Sequence, residues 1–277
     1  MSQVWFVTGS SVGLGRSLVE CLLAAGHEVV ATARNPDLLD DLARKHPERL
    51  LCVPLDVTSI RDWNSGIAAA QERFGRIDVL VNNAGFASVG SVEDIPLDQV
   101  RRQFETNFMG ALMGCKAVLP IMRSQACGRI ILISSIGARI ATPGAAIYYA
   151  SKAAISSLAD SLALEVAPFG ITVTAVEPGA MRTRFAKAES LNVSPFQSHY
   201  EATVGATVTM MHSKEYNDAL HDPAGHARMI LDLAKLSDPP SRILAGDDAF
   251  TYGTAAGAQR RETDLRYTEF SCSATGS

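Results

Sequence analysis

Val4-Trp5-Phe6-Val7-Thr8 runs without interruption into Gly9-Ser10-Ser11-Val12-Gly13-Leu14-Gly15. The first five residues are apolar, β-branched or aromatic, the composition and length of a buried strand. Residues 14–25 then carry a helical pattern that stops at Gly26, a residue suited to a left-handed C-terminal cap. Between strand and helix the glycines permit a tight turn and a close backbone approach. The helix start adds amide donors and a positive dipole. A strand, a glycine turn and a helix in this order make a cradle for a phosphate group. A P-loop is disfavoured, because no Gly-Lys-Ser/Thr follows.

The rest of the chain repeats the alternation. Strands are expected at 4–8, 28–33, 50–53, 79–82, 130–134, 172–177 and 242–244, several of them near-continuous Val/Ile/Leu runs. Helices are expected at 14–25, 38–45, 60–74, 97–122, 148–166 and 224–236. This rhythm predicts an α/β fold, a doubly wound and mostly seven-stranded parallel sheet with helices on both faces. It covers residues 1–270 as a single domain. The interval 184–222 breaks the pattern and reads as a substrate lid. Residues 271–277 are Ser/Thr/Gly-rich and read as a disordered tail.

Of the 277 residues 47% are hydrophobic and 19% charged, enough apolar surface for a sizeable core. The net charge of −4 gives no case for binding nucleic acid or an anionic membrane. No apolar run is long enough to span a bilayer. The chain starts on its first strand with no signal peptide ahead of it, which points to the cytoplasm. Cys21, Cys52, Cys115, Cys127 and Cys272 lack metal-ligand spacing, and no metal site is expected. Free thiols in a reducing compartment fit the odd count.

Tyr148 and Lys152 form a Tyr-x-x-x-Lys pair, with Ser135 thirteen residues before the tyrosine. A phenol titrating near ~10 is a poor acid or base at neutral pH. A lysine one turn later shares its helix face, and its charge favours the phenolate. A hydroxyl such as Ser135 would hydrogen-bond the oxygen that exchanges the proton. The three groups can move a proton at a carbonyl or alcohol oxygen. Standing alone, the pair is equally an amphipathic helix with a half-buried tyrosine and a solvated lysine. Tyr149 and Ser134 are neighbours without the required spacing and read as packing.

In these motifs the chain resembles the short-chain dehydrogenase/reductases of the TGxxxGxG and YxxxK branch. The match is collinear from Val4 to about Phe185, with a weaker echo in 222–244. It is carried by Thr8–Gly15, Leu55-Asp56-Val57, Asn82-Asn83-Ala84-Gly85, Asn107, Ser134-Ser135, Tyr148 to Lys152 and Pro178-Gly179-Ala180-Met181-Arg182-Thr183. The resemblance implies a Rossmann fold and a nicotinamide cofactor. Gly9, Gly13 and Gly15, with the Leu14 amide, would cradle the pyrophosphate. Asp56 and Val57 would contact adenine. Asn83, Ala84 and Gly85 would brace the cofactor, and Pro178, Gly179, Met181 and Thr183 would hold its nicotinamide end. Catalysis would fall to Asn107, Ser135, Tyr148 and Lys152. Asn107 would fix a water linking the lysine to solvent, and Lys152 would also hold the ribose. Asp56 reads equally as a helix cap, and Asn107 as an asparagine satisfying backbone groups at a kink.

The second strand ends Ala31-Thr32-Ala33-Arg34. Ala33 stands where NAD-dependent members usually carry an acid. Arg34 pairs with phosphate, and Ser10 and Ser11 add hydroxyls, so NADP(H) is expected over NAD(H). Apolar residues in 86–89, 136–140 and 184–222, with Tyr149, Met181, Met210 and Met211, suggest a bulky hydrophobic ketone, aldehyde or alcohol. His199, His212, His221 and His226 read as surface residues. The predicted activity is NADP(H)-dependent interconversion of a carbonyl and an alcohol. A catalytically idle NADP(H) sensor and an enzyme acting by transient oxidation are the alternatives. The resemblance also implies a homodimer or homotetramer paired through helices 97–122 and 148–166.

Overall fold

The computed structural model describes residues 2–183 and 192–275. Seven strands form one sheet: β1 (Val4–Thr8), β2 (Glu28–Ala33), β3 (Leu50–Pro54), β4 (Val79–Asn82), β6 (Gly128–Ile133), β7 (Ile171–Pro178) and β9 (Arg242–Ala245). Their order is β3-β2-β1-β4-β6-β7-β9, and every pairing is parallel. The order reverses between β1 and β4. In such sheets ligands bind in the crevice beyond the carboxyl ends of the strands at that switch point. Two short strands, β5 (Ser88–Val89) and β8 (Asn192–Val193), pair beside the sheet.

Alternation along each strand sends side chains to two cores. Val4 and Phe6 of β1 join Leu80, Ile130 and Ala175 on one face. There they pack against α3 (Ile60–Phe74), α5 (Gly110–Gln125) and α6 (Ala146–Val166) through Trp63, Met122 and Ile155. Trp5 and Val7 join Val79, Val81 and Val176 on the other face. There they meet α1 (Gly13–Ala24), α2 (Asp40–Lys45) and α9 (Pro223–Leu233) through Leu18, Leu22, Leu42 and Ile230. Helix α1 ends as its sequence requires, with Gly26 at φ +86°. Helix α3 begins on Ser59, whose hydroxyl accepts the Asp62 amide. Among the described residues no helix is long and apolar enough to cross a membrane.

Three features differ from the sequence reading. The helix expected over 97–122 is α4 (Leu97–Phe104), a π turn at Glu105–Met109, and then α5. The chain after β9, for which the pattern gave no element, forms α10 (Asp247–Arg266). It was missed because its apolar residues make no continuous stripe. Beyond Ala256 its residues are almost all exposed, so burial left no signature in the sequence. The tail expected to lack order forms α11 (Thr268–Cys272) and a 3-10 turn at Ser273–Thr275. Its hydroxyls bond back along the chain, Thr268 to Asp264, Ser273 to Phe270 and Thr275 to Cys272. Within 184–222, described from 192 onward, lie α7 (Ala206–His212) and α8 (Lys214–Asp218).

Helix α5 meets α3 and β4 at Gly114. A Cβ there would fall 2.6 Å from both the Trp63 ring and Asn82 Oδ1. Gly114→Ala is therefore expected to destabilise the protein by about 1–3 kcal/mol, despite the better helix propensity of alanine. Urea unfolding measures this, and an unchanged midpoint would mean that the helix does not press so closely on the sheet.

Candidate active site

The switch point is fixed by a cross-brace. Thr8 Oγ1 accepts the amides of Asn83 (2.9 Å) and Ala84 (3.0 Å). Asn83 Nδ2 returns bonds to the carbonyls of Thr8 (2.8 Å) and Gly9 (3.1 Å). The ends of β1 and β4 are thus held edge to edge. Between them, Gly9 has φ +66° and Gly13 φ +57°. A Cβ on Gly9 would come within 3.0 Å of the Ala84 backbone, and one on Gly15 within 2.3 Å of the Gly9 carbonyl. Helix α1 follows at once, and Val12 at its N-cap gives no side-chain acceptor to the first-turn amides. These donors and the bare glycine backbone fit a pyrophosphate.

A cleft of about 1680 Å³ extends from this turn. At its phosphate end are Gly9, Ser11, Gly13 and Leu14; Arg34, Asp56 and Val57 lie to one side. Asn83, Ala84 and Gly85 after β4 line it too, as do Pro178, Gly179, Met181 and Thr183. Thr183 also packs over Gly13, since a Cβ on that glycine would lie 3.2 Å from the threonine. Ser135, Tyr148 and Lys152 open into the same space.

Ser135 follows the carboxyl end of β6 and caps a 3-10 turn, Oγ accepting the Gly137 amide at 3.1 Å. Its hydroxyl also hydrogen-bonds the Tyr148 phenol. Tyr148 and Lys152 lie in the first turns of α6. Lys152 is buried, donates from Nζ to the Ile133 carbonyl (2.7 Å), and stands 5.9 Å from the Tyr148 ring centre. This is a proton donor, a hydroxyl on that donor, and a cation beside it.

Residues 3–194 match the model of the short chain dehydrogenase family. The chain belongs to that family. It is 40% identical to the oxidoreductase BOA17 of Botryotinia fuckeliana, over 98% of this chain and 98% of that one. Its fold is similar to a crystal structure of a short-chain dehydrogenase from Streptomyces avermitilis, with TM-score 0.91, 37% identity and 99% of each chain covered. It is also similar to a short chain dehydrogenase from Burkholderia cenocepacia J2315 in complex with NADP. There the TM-score is 0.75 and the identity 26%, over 96% of this chain and 97% of that one.

In this short-chain dehydrogenase the surroundings of several predicted site residues are defined by the fold. Ser10 is buried, and its hydroxyl donates to the Val7 carbonyl at 2.8 Å, turned away from any phosphate. Gly15 acts by close packing beneath the turn. Asn107 lies in the π turn, buried behind the cleft. Its side chain accepts the Phe86 amide (3.0 Å) and donates to the Phe86 carbonyl (2.9 Å) and Ser151 (3.0 Å). That is the backbone-satisfying role, and it fixes the chain just after Gly85. Asp56 does not cap α3, whose N-cap is Ser59. It lines the cleft, and Oδ1 accepts the Thr58 amide and hydroxyl. Ser134 is buried and bonds the Lys152 carbonyl and Ser156, while Ser156 donates to the buried Glu177. His226 is buried against the Ala245 carbonyl rather than solvated, while His221 is partly exposed and faces Asp247.

Other residues reach the cleft without having been expected there. They are Asp248 and Tyr252 of α10, whereas Tyr216 of α8 belongs to the 184–222 interval already expected to wall the substrate. The acidic pair Asp247-Asp248 after Gly246 is a helix-start signal that could have revealed α10.

Tyr148 and Lys152 also differ electrostatically from expectation. Tyr148 is pushed up rather than down: burial dominates, Ser135 opposes it, and Tyr149 and Tyr216 add to it. Lys152 is lowered to about 8 by burial. The enclosed site penalises the charged form of both groups, leaving the phenol protonated at neutral pH. The sign for stability follows. The unfolded lysine titrates near ~10.5, so between about 8 and 10.5 the unfolded chain holds the extra proton and stability rises with pH. Wild type is expected to gain up to about 3 kcal/mol relative to Lys152→Met across that window. Paired denaturant titrations at pH 7.5 and 10.5 would show it, and parallel curves would place the ammonium in solvent.

Proposed function

We propose that this protein is an NADP(H)-dependent oxidoreductase that interconverts a hydrophobic ketone or aldehyde with its alcohol. One observation carries the reading: Ser135, Tyr148 and Lys152 converge on the cleft that begins at the glycine turn. A nicotinamide bound along that cleft would supply or accept hydride at the substrate carbon. The chain's own groups handle the substrate oxygen. Ser135 hydrogen-bonds it and stabilises its developing charge. Tyr148, protonated at neutral pH, donates to it in reduction and takes the proton back in oxidation. Lys152 compensates the phenolate left behind. Asn107 holds the Phe86 segment that closes the floor beside them.

NADP(H) is favoured over NAD(H) by charge. Arg34 is exposed at the end of β2 on the cleft edge, and no ion pair or hydrogen bond to a described residue ties it down. Ala33 beside it offers no carboxylate to a ribose hydroxyl. Ser11 lines the same edge. Substrate walls are supplied by Phe86, Val89, Ile136, Ile140, Tyr149 and Met211, which suits a bulky apolar substrate. An idle sensor has no use for a convergent proton-transfer set, so turnover is the better reading. Exposed Leu97 on α4 and Leu164 on α6 support a homodimer or homotetramer built on those helices. Free cysteines accord with a cytoplasmic setting.

Tyr148→Phe is expected to leave NADPH affinity within a few-fold and to lower kcat by about 10²–10⁴ on any accepted ketone. A nearly unaltered kcat would remove the phenol from the reaction. Separately, wild type should use NADPH with higher kcat/KM than NADH, and Arg34→Ala should cut that ratio by about tenfold or more. A wild-type preference for NADH would refute the cofactor assignment.

A further inference from the structure

Asp248 lies beyond the segment matched by the family model, at the first turn of α10. Gly246, at φ +109°, swings the chain from β9 into that helix. The Asp248 carboxylate is built into its surroundings. Oδ2 accepts the Ala180 amide at 2.8 Å, and Oδ1 accepts the Ala249 amide at 2.7 Å. His221 Nε2 stands 3.4 Å from the same Oδ1 and 3.0 Å from Asp247 Oδ1. Two glycines leave room for the group. A Cβ on Gly179 would fall 2.0 Å from Oδ1, and one on Gly246 2.7 Å from it.

The carboxylate thus meets the chain at residues 178–183, which leave β7 and carry Met181 and Thr183 to the cleft. The same stretch is tied from a second side. His221 donates its amide to the Ala180 carbonyl (3.1 Å) and accepts the Arg182 amide on its own carbonyl (2.8 Å). The Gly179 amide donates to the Ala245 carbonyl at 3.1 Å. Three segments therefore meet at one side chain: the cleft wall 178–183, residue 221 at the far end of the 184–222 insertion, and the start of α10. An ionised acceptor on a backbone amide is roughly twice as strong as a neutral one. A strand-to-loop exit with few apolar contacts is otherwise among the first places to open.

We propose that Asp248 is a positioning residue, a latch that holds residues 178–183 in the conformation that receives the nicotinamide half of the cofactor. This rests on the cofactor reading above. Asp248 bonds neither Arg34 nor Asp56 and reaches the glycine turn only through Thr183, which packs over Gly13, so its effect leaves the Arg34 and Asp56 side of the cleft in place. Releasing the Ala180 amide loosens the stretch carrying Met181 and Thr183, which is then left to the backbone bonds with His221 and Ala245 and to the packing of Met181 on the core. Arg34 and Asp56, which share no bond with this stretch, keep their positions.

The experiment compares two probes on the full-length protein, NADPH and adenosine 2′,5′-bisphosphate, by calorimetric titration. Asp248→Ala is expected to weaken NADPH roughly tenfold or more and to leave the bisphosphate within about twofold. Asp248→Asn fills the same space and keeps one acceptor for Ala180, so it should recover most of the NADPH affinity. Gly179→Ala, which displaces the carboxylate, should show the same selective loss. Combined with Asp248→Ala it should cost little beyond the larger single effect, because the obstructed group is gone. Should Asp248→Ala fail to fold, the Asn and Gly179→Ala variants carry the test. Equal NADPH binding by wild type and variants, or parallel loss of both probes, would overturn the latch. Wild type that binds neither probe would instead overturn the cofactor reading itself.

Discussion

The bond between Thr8 and Asn83 is the constraint on which the site depends. It joins the carboxyl ends of β1 and β4, the two strands where the sheet order reverses. Strands there diverge into helices on opposite faces, so a crevice forms between them. Unbraced, its lips would be two independent loops. Thr8 accepts two amides from the β4 side, and Asn83 returns two bonds to the β1 side. The backbone of Gly9 is thereby fixed to within contact of Ala84, and the first turn of α1 is aimed into the crevice.

From that frame the chemistry is assembled by neighbours rather than by sequence proximity. Ser135 arrives on the end of β6, while Tyr148 and Lys152 arrive on α6, which packs behind it. Polar groups underneath set the height of α6. Ser134 bonds the Lys152 carbonyl and Ser156, and Ser156 leads to Glu177, a fully buried carboxylate held by Arg139. Buried charges of this kind stand only when paired. Enclosure has a further result. It raises the phenol and lowers the lysine, so the resting protein keeps its proton on Tyr148 at neutral pH. Lysine and phenol are tuned by the same desolvation in opposite directions, which the spacing Tyr-x-x-x-Lys does not reveal.

The part of the cleft proposed for substrate has a different origin. Its walls come from elements far apart in the chain: Phe86 and Val89 after β4, Ile136 and Ile140 after β6, Met210 and Met211 on α7, Tyr216 on α8, and Tyr252 on α10. Little of this carries a local pattern. Tyr252 and Asp248 in particular belong to a helix whose sequence lacks an apolar stripe, because most of it packs against nothing in the protomer. The phosphate half, by contrast, is built from one contiguous turn and one strand end.

The linear sequence was sufficient for the architecture, because hydrophobic period and glycine punctuation are local properties. Strands β1, β2 and β4 and helix α3 lie where the pattern put them, and the doubly wound sheet follows from their alternation. It also located the glycine turn directly after β1, since a glycine turn between a strand and a helix admits few other geometries. Orientation was beyond it. Whether Ser10 turned inward to Val7, whether Asn107 would be occupied by Phe86, and whether burial or charge would govern Tyr148 depended on which side chains surround each group. Those neighbours are set by packing across the sheet, and the arrival of α10 at the cleft is set by the same long-range contacts. Periodicity reports whether a residue is buried, and only the folded chain reports what it is buried against.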